Sequence, residues 1–503
     1  MNQTDQASRR ITTGVPGLDE ILGGGLFGGA VYIVRGSPGA GKTILANQIC
    51  FHHVGHGGRA LFVTLLSESH ARMLQHMAGM GFYKADAIPD SLYYISAFRT
   101  LEDEGLKGLM DLLRREMRAH KAGVLILDGL LAVEETSASD REFRKFIHEL
   151  QAHATMADCT VLLLTNGSRA EHYPEHTMVD GLITLDDVPY GKRRQRELEV
   201  KKFRGSASLR GRHPFRITDN GIVLYPRVES HLPTSGYGAS GERVSMGLAE
   251  LDAMMDGGPH RATCTLLLGA SGAGKTTLGT YFLSRSSARE PGLHFGFYET
   301  PERLIANAAL IGLPLQPLVD AGHLEVMWRP PTEQILDDVG GALIAAVRRR
   351  GVKRLFIDSL GGFAASADLP ERLQVFWAAL ADELRALDVT AVLVMETPNV
   401  VGPDIKVPLE GLSALSENMV LLRFAEYRSR LYRLMSVMKV RGSGFDPRLR
   451  EFQISQAGVH LAESFENAEL VLSGYAIDRN GPADPSVHPA TSASRTTSPP
   501  GQE

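Results

Sequence analysis

Cysteine is scarce in this sequence: there are three, Cys50, Cys159 and Cys264, set far apart and forming no CxxC pair. That spacing excludes a zinc ribbon and suits a reducing compartment. No apolar run approaches the ~18 residues of a membrane span, and the opening MNQTDQASRR has no apolar signal segment. A cytoplasmic protein without a membrane partner is expected. Strong charge of one sign is missing too. A formal net charge of −5 argues against a chain built mainly to bind nucleic acid. The basic run GKRRQR (191–196) reads as an exposed hairpin turn. What remains, 43% hydrophobic and 22% charged residues, is the balance of a soluble globular chain. At 503 residues it is too long for one ordinary core, so two domains are expected.

A repeat organises the chain. TGVPGLDEIL (13–22) aligns with MGLAELDAMM (246–255), pairing Leu18 with Leu251 and Asp19 with Asp252. GSPGAGKT (36–43) aligns with GASGAGKT (269–276) at the same offset. KFRGS (202–206) then matches KVRGS (439–443), and PFRITDNGIVL (214–224) matches EFQISQAGVHL (451–461). Ordered matches over that length imply duplication of a whole domain. The expected division is 8–228 and 243–475, with a Ser-, Gly- and Pro-rich linker at 229–242 and a disordered tail at 476–503. In each half, apolar runs such as AVYIV, GVLILD, CTLLLG and TAVLVME alternate with helical patterns. Buried strands separated by helices predict an α/β domain with a mainly parallel central sheet.

Both halves carry G-x-x-x-x-G-K-[ST] between an apolar strand and a helical pattern, the context this motif requires. Backbone N–H groups of Gly36, Ser37, Pro38 (a carbonyl only), Gly39, Ala40 and Gly41 are expected around a phosphate chain. Gly269, Ala270, Ser271, Gly272, Ala273 and Gly274 repeat the arrangement, followed by Thr276 and Thr277. Lys42 and Lys275 would reach the β- and γ-phosphates of ATP, and the hydroxyls of Thr43 and Thr276 would hold Mg²⁺. Asp128 (VLILD) and Asp358 (RLFID) end later strands and would act on Mg²⁺ partly through water. Glu68 and Glu299 follow the second strand of each half and are candidates for orienting the attacking water, although either alone could be a surface residue.

Taken together, these residues resemble the double-domain KaiC branch of the RecA-like ATPases, over about 11–474. The run TTGVPGLDEILGGGL and the late KFRGS and KVRGS segments carry the resemblance. It implies two tandem RecA-like P-loop domains, assembly into six-membered rings, and ATP held between neighbouring subunits. Lys202, Arg204, Lys439 and Arg441 would then act on the neighbour's nucleotide; the plainer alternative is a charged hairpin. The family's paired glutamates are broken here to Ser67–Glu68 and Tyr298–Glu299. The autophosphorylated Ser-Thr pair of its clock members becomes Ser413–Ala414, leaving Ser413 or nearby Ser416 for single-site transfer. Slow Mg²⁺-dependent ATP hydrolysis with a regulatory output is implied, with a KaiB-like or sensor-kinase signalling protein as partner. Two other readings stay open: a DNA-repair ATPase of the RadA kind, and a nucleotide-bound scaffold that does not hydrolyse.

Overall fold

Strand segments such as VYIV and LLLG are apolar at every position, so a sheet containing them must be covered on both faces. That is how the chain folds in the computed structural model, which describes residues 10–65, 70–166, 178–231, 241–398, 416–427 and 430–462. Val31 and Ile33 pack with Leu109, Leu113 and Ile147 on one face. Tyr32 and Val34 pack with Leu45 and Ile49 on the other. In the second half Leu266 and Leu268 face a cluster containing Phe363 and Phe376, while Leu267 faces one containing Leu278 and Phe282.

Each half forms a nine-stranded sheet. The first runs, edge to edge, Leu92–Ser96, Ala60–Thr64, Val124–Asp128, Thr160–Asn166, Val31–Gly36, Gly181–Tyr190, Arg193–Phe203, Arg212–Thr218 and Gly221–Leu224. The first six are parallel, and the last three continue as an antiparallel meander. The second sheet repeats this order with Leu324–Trp328, Gly292–Gly296, Arg354–Asp358, Thr390–Glu396, Cys264–Gly269, Asn418–Tyr427, Arg430–Val440, Arg450–Ser455 and Gly458–Leu461. The architecture is therefore two tandem RecA-like α/β domains with mainly parallel central sheets. The run GKRRQR spans the tight turn between Gly181–Tyr190 and Arg193–Phe203. Glu68, Ser413 and the tail at 476–503 lie outside the described residues.

The repeated Leu-Asp motif has a structural task in both halves. Asp19 accepts from the backbone N–H of Thr13 at 2.9 Å, and Asp252 accepts from that of Met246 at 2.6 Å. Each carboxylate thus closes the loop ahead of its short helix, Leu18–Ile21 or Ala249–Met254.

His294, in strand Gly292–Gly296, is wholly buried beside Phe356, and among the described residues neither ring nitrogen has a hydrogen-bond partner. Burial pushes its pKa down to about 3. The folded form holds this ring neutral, so its contribution is complete above the ordinary histidine range and is lost as pH falls from there toward 3. Between pH 6.5 and 5 the cost should reach about 2 kcal/mol. Urea melts over that interval should show a slope that His294→Leu reduces.

Candidate functional site

Both phosphate loops lie at the carboxyl end of a central strand and open a helix, Lys42–Gly55 or Lys275–Leu283. The residue before each lysine, Gly41 or Gly274, has φ of 106° or 101°. A Cβ at Gly274 would also stand 2.4 Å from the Phe452 ring. Conformation and space both require glycine here, which explains why the sequence returns to the same residue in both copies.

The lysines are buried against their own loops. Lys42 Nζ donates to the carbonyls of Gly36 (2.7 Å) and Ser37 (3.1 Å), and Lys275 Nζ to those of Gly269 (2.9 Å) and Ala270 (2.7 Å). Burial lowers the pKa of both ammonium groups. Asp128 opposes the shift at Lys42, and Glu396 with Asp358 opposes it at Lys275.

One residue further on, Thr43 Oγ1 donates to Asp128 Oδ2 at 3.4 Å, and Thr276 Oγ1 to Asp358 Oδ2 at 3.0 Å. The pairing follows from strand order, since a single strand separates those ending in Asp128 and Asp358 from the phosphate-loop strand. A hydroxyl beside a carboxylate is the hard oxygen donor set that Mg²⁺ takes, so the residues fit that ion. Burial raises the Asp358 pKa to about 6; Glu299 and Glu396 add to the rise, while Thr276 and Lys275 oppose it.

In the second half these groups line a cleft of about 470 Å³ that includes Ser271, Lys275, Thr276, Glu299, Asp358 and Glu396. Glu299 accepts from Asn307 Nδ2 and lies 3.9 Å from Arg303, so it is held at the mouth of the cleft. Tyr298 beside it is 66% exposed. In the first half the strand before Glu68 ends at Thr64, whose hydroxyl shares a 2.8 Å hydrogen bond with His70.

The K-x-R-G residues stand elsewhere. Lys202 pairs with Leu182, which pairs with Ile33; Lys439 pairs with Met419, which pairs with Leu266. Each lysine is thus displaced from its own phosphate loop by about 10 Å along the strands and about 10 Å across them. Arg204 Nη1 donates to the Met178 carbonyl, and Lys439 Nζ to that of Ser416. Arg441 is placed by its backbone N–H, which donates to Glu417 O at 3.1 Å. Ser416 is 2% exposed.

Sequence reasoning passed over Glu396 and its counterpart Asn166. The runs TAVLVME and TVLLLTN can be aligned to their last residue, but glutamate there faces asparagine in the other copy, so the repeat does not single either out.

Two copies of a phosphate loop, each with a buried lysine and a threonine–aspartate pair on a mainly parallel sheet, define a tandem P-loop nucleotide-binding protein. Residues 11–229 and 244–466 each match the family model described as "ATPase: KaiC". The chain belongs to the KaiC family of ATPases. It is 28% identical over 484 residues to circadian clock oscillator protein KaiC 1 of Synechocystis sp., covering 93% of this chain and 91% of that one. Identity to the circadian clock oscillator protein KaiC of Synechococcus elongatus is 26% over 487 residues, covering 94% and 93%. Circadian clock protein KaiC3 of Synechocystis sp. is 26% identical over 496 residues, covering 94% and 96%. Among the described residues no helix is long and apolar enough to cross a membrane.

Proposed function

We propose that the chain is a cytoplasmic, two-site, Mg²⁺-dependent ATPase with a regulatory output, its two domains being 8–228 and 243–475. Lys42 and Lys275 hold the β- and γ-phosphates within loops 36–43 and 269–277. Thr43 with Asp128, and Thr276 with Asp358, hold Mg²⁺, which when bound neutralises charge on the transferring phosphoryl group. Glu68 and Glu299 orient the attacking water. The observation that carries this reading is the threonine–aspartate contact beside the loop lysine, built twice in the same fold.

The displacement of Lys202 and Lys439 from their own loops supports a further part of the proposal. These lysines, with Arg204 and Arg441, serve the nucleotide of a neighbouring subunit in a six-membered ring. The relatives carry clock names, so a signalling protein of the KaiB or sensor-kinase kind is the proposed partner. Serine transfer at Ser413 rests on the family resemblance.

A non-hydrolysing scaffold is the second reading, favoured by Tyr298 standing where a paired glutamate would precede Glu299. Purified protein incubated with γ-labelled ATP and Mg²⁺ decides between them. Slow phosphate release, unaffected by single-stranded DNA, is expected. Tight ATP binding without release would establish the scaffold, and strong DNA stimulation would point to a repair ATPase.

A further inference from the structure

The two sites differ at one strand end. Asn166 closes strand Thr160–Asn166, and Glu396 closes Thr390–Glu396. Each of these strands lies between the phosphate-loop strand and the strand ending in Asp128 or Asp358. The register is identical too: Asn166 pairs with Gly36, and Glu396 pairs with Gly269, the first glycine of each loop. Both side chains are exposed.

Glu396 Oε1 lies 3.9 Å from Lys275 Nζ and lines the same cleft as Thr276 and Asp358. A lysine in such a loop addresses the end of a bound phosphate chain, so Glu396 would stand beside the terminal phosphate of a nucleotide held there. The chemistry of the two residues is opposite there. An asparagine amide can donate N–H to a phosphate oxygen, whereas an ionised carboxylate has no proton to donate and repels the anion. The charge balance differs in the same sense. Among the described residues, Lys275 faces Asp358 and Glu396, while Lys42 faces Asp128.

We propose that this strand-end residue sets the phosphate preference of each site: Asn166 favours a nucleoside triphosphate in the first, and Glu396 turns the second toward the diphosphate. Triphosphate binding in the second site then depends more steeply on a divalent cation, which shields the carboxylate from the γ-phosphate. The two domains thereby divide their work, one reading the triphosphate and the other retaining the product. The inference rests on the reading of both clefts as nucleotide sites.

Full-length protein with Lys42→Ala isolates the second site, and Lys275→Ala isolates the first. Each is titrated calorimetrically with ADP and with a non-hydrolysable ATP analogue, with and without Mg²⁺. Adding Glu396→Asn to the first variant should raise the analogue-to-ADP affinity ratio about tenfold, or about 1.4 kcal/mol. It should also flatten the Mg²⁺ dependence of analogue binding. Adding Asn166→Glu to the second variant should lower the ratio by a similar factor. Because the ratio compares two ligands on one protein, partial misfolding does not mimic the effect. Unchanged ratios in both pairs would overturn the proposal. So would an unchanged ratio accompanied by lost hydrolysis, which would make Glu396 a group acting on the water. Failure of both nucleotides to bind before the strand-end residue is changed would overturn the nucleotide-site reading as well.

Discussion

Protein carrying both Lys42→Ala and Lys275→Ala is expected to release phosphate from ATP at least about 100-fold more slowly than the unaltered chain. The lysines are the cations set inside the loops, and their ammonium groups already point at loop carbonyls that bracket the phosphate path. Alanine removes the charge that offsets the β- and γ-phosphates and leaves the loop backbone in place. Binding should weaken along with turnover, since the same contact serves ground state and transition state. A thermal melt close to that of the parent would locate the loss in the site. Phosphate release above a tenth of the parent rate (a looser bound than the expected 100-fold) would show that the loops are not where hydrolysis occurs.

Arg372→Ala should produce the largest loss of stability. Arg372 sits where the two domains meet, donating to Glu229 at 2.5 and 3.0 Å and to Asp337 at 2.6 Å. Glu229 is the residue after Val228, and Val228 is itself part of the second domain's core. Burial alone would raise the Glu229 carboxyl, but Arg372 and Arg227 pull it down to about 2. Its stabilisation is therefore complete above the ordinary glutamate range and is lost as pH falls toward 2. Burial pushes Asp337 the other way, with Arg372 opposing. Truncating the arginine leaves two buried carboxylates without their shared cation, a change that costs about 3–5 kcal/mol. The remaining 2.8 Å contact from Arg227 to Glu229 places the expected value at the lower end, about 3 kcal/mol. The urea midpoint should fall, and protease should cut between 231 and 243 faster. An unchanged midpoint and cleavage rate would mean that this cluster does not join the domains.

Different parts of the site were legible to different degrees. The phosphate loops could be read directly because their chemistry is local: glycines, lysine and threonine are adjacent in sequence and in space. Asp128 and Asp358 were readable at one remove, because a repeated strand-end aspartate acquires meaning from its twin. Glu396 was not readable that way. It becomes informative once strand order sets it between the loop strand and the Asp358 strand, which is a long-range pairing. The role of Glu229 was hidden for a similar reason: Ser, Gly and Pro content reads the segment it opens as a linker but says nothing of Arg372, 143 residues away. Glu68 and Ser413 gained nothing from the described residues, so their roles stay with the proposal.

The central claim is that each ATP site is completed by a neighbouring subunit, and mixing two inactive variants tests it most directly. One variant carries Lys42→Ala and Lys275→Ala; the other carries alanine at Lys202, Arg204, Lys439 and Arg441. Alone, each should release almost no phosphate from ATP with Mg²⁺. Mixed in equal amounts and reassembled, they should recover activity, up to about a quarter of the parent rate if subunits arrange randomly around a closed ring. Mixed assemblies that remain as inactive as their parents would contradict sites shared between subunits.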